Sequence, residues 1–443
     1  MLKIRSRGLI MLFLIVVLLL SACAQATEEA APAAPDEAEP AAPEKPSKEE
    51  MTGTVKFYKG PFGPTEVEDQ NTLIALFNEE YPNIDVTFET FDWPTQEAQL
   101  TAALAGNTHD LIYVPEGMYP KFAYQGGPLN DLSWCVDDPE WKEQKDNVLY
   151  WEDATSPDGL LGGIPNVWIP ESHFVANLDM LEAAGVPDDW NQSMEGVRQA
   201  AIAMTTDDVY GFGFRTAGLA DLAQHDWYGY IQRSGAGYLN EDFTACGLNK
   251  PELVETFQWL VDLMYEDQVT PEFGAYTWDG LRGLFQAGKL AITHDEPPIV
   301  GVMESNPPDF DYAFFTIPGN VKDVLFTFRG YYSIPEGSNN KEAACEFGKF
   351  LVRPENEVWY LNKSAGLYPA LKDFGGIEIF SDRYPALADG MNLGEYAQGP
   401  EFHPQYLEFQ NLTSPLWDEM MAQKITPQEM IDQACEQIES RLK

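Results

Sequence analysis

Basic residues are scarce. The 443-residue chain has 27 Lys+Arg against 71 Asp+Glu, a formal net charge of −44. A surface of that sign is repelled by nucleic acid and by anionic membrane surfaces, so neither is expected as a partner. Histidine is scarce too: His109, His173, His225, His294 and His403 form no ligand-spaced pair. No His-Glu-x-x-His, Cys-x-x-Cys or Gly-x-Ser-x-Gly run occurs, which removes the common zinc, redox and nucleophile-elbow signatures. Neither a metal nor a cofactor is expected. Gly283 to Leu290 comes near a phosphate loop, but Leu290 stands where Ser or Thr must reach magnesium. With a helix before it and a strand after it, the segment predicts a helix C-cap.

The only long apolar run is Leu9–Leu20, behind the basic residues Lys3, Arg5 and Arg7. It is shorter than the roughly 20 residues of a spanning helix, so residues 1–22 read as a signal peptide. The run closes on Leu20-Ser21-Ala22-Cys23, which resembles a bacterial lipobox with Cys23 as the lipidated first mature residue. Ala24–Glu50 then holds nine Ala, five Pro and eight acids, with no aromatic residue. Such a segment cannot bury enough surface to fold, so residues 23–52 are expected to form a lipid anchor and an extended acidic tether. An extracytoplasmic protein held to a bacterial membrane by lipid alone follows.

The acidity belongs to the remainder, since residues 51–443 carry −41. At 44% hydrophobic residues the chain can build large cores, and its length exceeds what one core holds, so two lobes are expected. Thr54–Tyr58 reads as a strand. A helix follows with Val67, Ile74, Phe77 and Tyr81 on one face, then a strand at Ile84–Phe88, a helix at Thr95–Ala105 and a strand at Leu111–Val114. That alternation predicts a parallel α/β sheet. Helices follow at Met194–Met204, Pro251–Glu266 and Lys341–Leu351, with strands at Gly211–Phe214, Leu290–Thr293 and Tyr312–Phe315. The chain reads as helical again from Pro415. Four cysteines remain after Cys23. An exported location permits disulfides, yet Cys345 and Cys435 fall at apolar helix positions, which predicts free buried thiols at Cys135, Cys246, Cys345 and Cys435.

Several segments, in order, carry a resemblance. They are Phe77–Val86, His109–Val114, Gly127–Leu132, Gly162–Pro165, Ala176–Asp179, Ala184–Pro187 with Trp190, Phe285–Thr293, Ala343–Leu351 and Ala365–Ala370. Together they resemble extracellular solute-binding proteins of the sugar-binding class, the ligand-capturing components of ABC importers.

The resemblance implies a two-lobed periplasmic-binding-protein-like α/β fold with a hinge crossed several times and a ligand cleft between the lobes. Crossings are expected near Asn166–Ser172, Arg329–Ser333 and Gly366–Pro369. They place residues 53–166 and 334–366 in lobe 1, and 167–333 and 367–443 in lobe 2. Any disulfide would then lie within one lobe, because a bridge between lobes would lock the cleft. The implied protein is a monomer without catalytic activity that closes on a carbohydrate and delivers it to permease subunits.

Loops beyond strand ends face such a cleft. They nominate Phe62, Asp92, Trp93, Glu116 and Tyr119 from lobe 1, Asn166, Trp168 and Glu171 from the hinge, and Trp227, Trp278, Asp295 and Glu296 from lobe 2. Arg329 and Tyr331 come from the second crossing and Tyr368 from the third. Aromatic rings suit the C–H face of a sugar, and Asp, Glu, Asn and Arg suit its hydroxyls. Two features depart from the family pattern: Asp295-Glu296-Pro297-Pro298 where Gly-Pro-Trp is frequent, and Arg329-Gly330-Tyr331 where Gly-Gly-Trp is frequent. These point away from a simple neutral sugar. Two alternatives stay open: a cationic solute such as a polyamine or basic peptide, suggested by the charge of −41, and a secreted carbohydrate hydrolase.

Overall fold

The computed structural model describes residues 46–170, 173–216, 222–319, 321, 325–365, 367–379 and 397–442. The signal peptide, Cys23, most of the tether and Glu171 lie outside the described residues.

Two sheets organise the body. The larger contains β1 (Gly53–Lys59), β2 (Ile84–Thr90), β3 (Leu111–Pro115), β4 (Ile164–Pro170), β9 (Leu325–Ser333), β10 (Tyr368–Pro369) and β11 (Ala397–Gln398). Its order is β10-β4-β9-β3-β1-β2, with β11 alongside β9. The smaller contains β5 (His173–Asn177), β6 (Tyr210–Gly213), β7 (Leu290–Asp295) and β8 (Tyr312–Thr316), in the order β6-β7-β5-β8.

The first five elements follow the alternation read from the sequence. Helix α1 (Glu66–Glu80) joins β1 to β2, and α2 (Gln96–Gly106) joins β2 to β3. β1 pairs parallel with both β2 and β3. All five residues of β3 are buried, as its position between β1 and β9 requires. Asn107, at φ 47°, ends α2 in the left-handed conformation. The sheets are not purely parallel, however: β9 runs antiparallel to both β3 and β4, and β5 antiparallel to β7 and β8. The expected hinge crossings at residues 166 and 329 are themselves long strands.

Further helices cover the sheets: α3 (Met194–Met204), α4 (Leu222–Arg233), α5 (Pro251–Tyr265), α6 (Trp278–Gln286), α7 (Lys341–Leu351), α8 (Pro354–Tyr360), α9 (Tyr406–Met421) and α10 (Pro427–Arg441). Ser193 caps α3 by accepting from Gly196 N, and Thr426 forms a capping box with Glu429 on α10. α9 starts at Tyr406, ahead of the expected Pro415, which sits inside it. Gly288, at φ +66°, ends α6 as a C-cap glycine just before β7, which disposes of the phosphate-loop likeness. The end of the tether is ordered: Ser47–Glu50 form a turn, Lys48 pairs with Glu80 and Met51 is buried.

The free-thiol expectation is overturned. Cys135 is bonded to Cys345 at 2.03 Å and Cys246 to Cys435 at 2.09 Å. An apolar helix position suits a half-cystine as well as a thiol, so burial alone did not separate the two. Neither bridge joins Cys135 or Cys345 to Cys246 or Cys435.

Candidate functional site

A cavity of about 260 Å³ is lined by residues from around both sheets. One wall comes from the larger sheet: Pro61 and Phe62 beyond β1, Trp93 beyond β2, Gln96 at the start of α2, and Tyr113 and Pro115 on β3. The opposite wall carries Arg215 beyond β6, Trp278 and Arg282 on α6, and Glu296 and Pro298 beyond β7. Ile169 on β4, Phe328 on β9 and Leu367 just before β10 complete the lining.

The first wall is built around a buried ammonium. Lys59 Nζ donates to Gly60 O (2.8 Å), Tyr360 OH (2.7 Å) and Glu66 Oε1 (3.1 Å), and it lies 3.4 Å from the Phe62 ring centroid. Burial draws its pKa down to about 8, against the pull of Glu66. Glu66 also accepts from Phe62 N at 2.8 Å, so one network fixes both the backbone and the ring of Phe62. That ring runs parallel to Trp93 (6.0 Å, 4°) and meets the edge of Tyr113 (5.4 Å, 89°). Trp93 Nε1 donates to Pro61 O at 2.7 Å. A Cβ on Gly60 would come within 2.6 Å of the Trp93 ring, so only glycine lets the loop and the indole approach this closely.

The second wall sets two guanidinium groups beside the carboxylates of Asp295 and Glu296. Arg282 grips Asp295 through Nε (3.0 and 3.1 Å) and Nη2 (2.5 Å), while Trp278 Nε1 donates to Asp295 Oδ1 at 2.8 Å. The guanidinium carbons of Arg215 and Arg282 lie 4.0 and 4.3 Å from the Trp278 ring centroid. Across the cavity, Gln96 is buried and its Oε1 has no hydrogen-bond partner.

Phe62, Trp93, Trp278 and Glu296 are therefore the expected residues that line the cavity, with Asp295 directly behind them. Glu116, Arg329, Tyr331 and Tyr119 instead form a buried cluster on β9 and just beyond the end of β3. Glu116 accepts from Arg329 N (2.8 Å) and Nη1 (3.0 Å), and Tyr331 stacks on Tyr119 at 4.2 Å. Burial pushes the Glu116 carboxyl up to about 7, although Arg329 opposes this. Trp168 packs on Tyr368 at 4.6 Å across the β4–β10 pair, and Asn166 is buried on β4 beside them. Trp227 is buried against Trp417 and Phe257, and Asp92 points to solvent. Several of these positions lie within β4, β9 or α4 instead of in open loops at strand ends, and neighbouring strands or helices cover all of them but Asp92.

Gln96, Tyr113, Arg215 and Arg282 were missed. Arg215 stands two residues beyond β6, where the strand-end rule applies. Arg282 stands four residues after Trp278 and so shares its helical face.

Residues 62–358 match the family of bacterial extracellular solute-binding proteins. The chain belongs to that family. Solved structures similar to it include an ABC substrate-binding protein from Listeria monocytogenes in complex with cycloalternan, at 18% identity and TM-score 0.77, covering 88% of this chain and 99% of that one. A solute-binding protein from Thermotoga lettingae bound with alpha-D-tagatose has 21% identity and TM-score 0.76, covering 88% and 100%. Maltose-bound T. maritima MalE3 has 18% identity and TM-score 0.76, with the same coverage. The two-lobed periplasmic-binding-protein-like fold is thus that of these proteins. Among the described residues, no helix is long and apolar enough to cross a membrane, and no group of three His, Cys, Asp or Glu could hold a metal.

Proposed function

We propose that this solute-binding protein captures a carbohydrate in the cavity between its sheets, without catalysis, and hands it as a monomer to the permease subunits of an ABC importer. The observation that carries this reading is one small cavity that brings the rings of Phe62 and Trp93 together with polar Gln96, Glu296 and Arg282. Rings meet the C–H face of a sugar, and the polar groups meet its hydroxyls. The carbohydrate-bound relatives of the same fold add support. Two guanidinium groups in the wall disfavour a cationic solute. Among the described lining residues Glu296 is the only carboxylate, whereas glycoside hydrolysis needs two.

The division into lobes at 53–166 with 334–366, and 167–333 with 367–443, belongs to this proposal, with β4, β9 and β10 as the crossings. So does the lipid anchor at Cys23, which places the protein on the outer side of a bacterial membrane. Cys23→Ser should move the protein from the membrane fraction to the medium or periplasm.

The test is mass spectrometry of small molecules released on denaturation, beside calorimetric titration with neutral mono- and oligosaccharides and with uronic acids. A retained or titrated saccharide that is recovered intact is expected. A protein that binds no saccharide, or that releases hydrolysed product, overturns the reading.

A further inference from the structure

We infer that the carbohydrate is a sugar acid, a uronic acid or an oligosaccharide bearing one, and that Arg282 reads its carboxylate. This rests on the carbohydrate reading and specifies its ligand class.

Arginine carries five N–H groups in a planar fork. Asp295 occupies the Nε–Nη2 edge of Arg282. Nη1 has no partner among the described residues, although Arg282 is nine-tenths buried at its side chain and lines the cavity. The remaining edge, Nη1 with the second Nη2 proton, is a parallel pair of donors, the geometry that matches a carboxylate.

This edge is held in place. Asp295 accepts from Trp278 Nε1 and from Glu296 N (2.8 Å) besides Arg282, so the anchoring carboxylate is fixed from three sides. The Trp278 ring carries Arg282 and Arg215 at 4.3 and 4.0 Å. It therefore serves as a support for cations, and the stacking surface for a sugar ring lies on the opposite wall at Phe62 and Trp93.

Charge placement gives an independent argument. The chain has ten arginines, eight of them after residue 50 in a body carrying −41. Two of those eight line this one cavity, with Glu296 the only carboxylate among its described lining residues. Asp295 balances Arg282 from behind, but the charged groups that reach the cavity itself are two guanidiniums and one carboxylate, a lining that attracts an added carboxylate.

Size is consistent. A cavity of about 260 Å³ falls just below the range of roughly 300–1,000 Å³ typical of drug-sized ligands, and suits one or two sugar rings.

The test pairs each acid with its neutral parent: glucuronate with glucose, galacturonate with galactose, mannuronate with mannose, and digalacturonate with galactobiose, all titrated calorimetrically into the ligand-free protein. At least one acid should bind ten-fold or more tightly than its partner. Arg282→Lys keeps the charge but loses the fork, and should cut the preference for that acid over its neutral partner at least ten-fold. Because the wild-type comparison needs no variant, a poorly folded Arg282→Lys does not block the decision. Neutral sugars binding as well as or better than every acid would overturn the inference and leave the carbohydrate reading standing. No binding by any acid or any neutral sugar would overturn both.

Discussion

The Lys59 ammonium lies 3.4 Å from the centroid of the Phe62 ring, with its three protons directed at Gly60 O, Glu66 and Tyr360. A fully buried cation thus sits directly under a cleft aromatic, and stability and ligand presentation share the same few atoms.

Removing the cation should therefore cost the fold first. Lys59→Met leaves the buried Glu66 carboxylate without its ammonium, a change that typically costs about 3–5 kcal/mol. Urea unfolding measures it. The double variant Lys59→Met with Glu66→Gln should recover part of that loss, because no unpaired charge remains.

Trp93 and Tyr331 should separate binding from stability. Trp93 is part-exposed at the cavity, whereas Tyr331 is 0% exposed and stacked on Tyr119. Trp93→Ala should weaken saccharide binding by about 2 kcal/mol, roughly 30-fold, with a small change in ligand-free melting temperature. Tyr331→Ala should cost on the order of 3–5 kcal/mol of stability. Titration beside thermal melts of each variant checks both.

Acidic conditions should favour the fold through Glu401. Burial pushes its carboxyl up to about 7, while Leu239 N donates to it at 3.1 Å. Between the unfolded value near 4.5 and about 7, the folded state keeps a proton that the unfolded chain releases. This contribution is present below about 4.5 and is lost as pH rises through about 7. Glu401→Gln should reduce the fall in unfolding free energy between pH 5 and pH 8 by an amount on the order of 1–3 kcal/mol, seen as a smaller fall in melting temperature. Parallel melts of wild type and variant across that range decide it.

The two disulfides close spans of 210 and 189 residues. Long closed loops remove much entropy from the unfolded chain, so reducing either bridge should cost roughly 2–5 kcal/mol. Non-reducing peptide mapping should find Cys135 with Cys345 and Cys246 with Cys435, and dithiothreitol should lower the urea midpoint.

The amino-terminal half of the larger sheet was legible in the sequence because β1, β2 and β3 alternate with helices that end on plain stop signals, Tyr81-Pro82 and Gly106-Asn107, although Val67, expected on the apolar face of α1, is exposed. β9 was not. Arg329 and Gly330 interrupt its pattern, and the Glu116 that makes a buried Arg329 tolerable lies 213 residues away. Trp168, Tyr331 and Tyr368 misled for a related reason. An aromatic at a strand end looks alike whether it faces a cleft or packs on another strand, and only the β4–β9–β10 pairing tells the two apart. The cavity's cations were harder to find still, since Arg215 and Arg282 are brought together by the ring of Trp278 and not by any shared motif.

The position of β9 between β3 and β4 also sets a timetable for biosynthesis. Neither neighbour pairs with the other; each is bonded to β9. At roughly 5–20 residues per second, a ribosome takes on the order of ten to thirty seconds to travel from the end of β4 to the end of β9. Throughout that interval β3 and β4 each present a bare edge whose partner, β9, is not yet made. Such edges invite wrong pairings, so the half-made protein is a natural client for a holding chaperone until its central strand arrives.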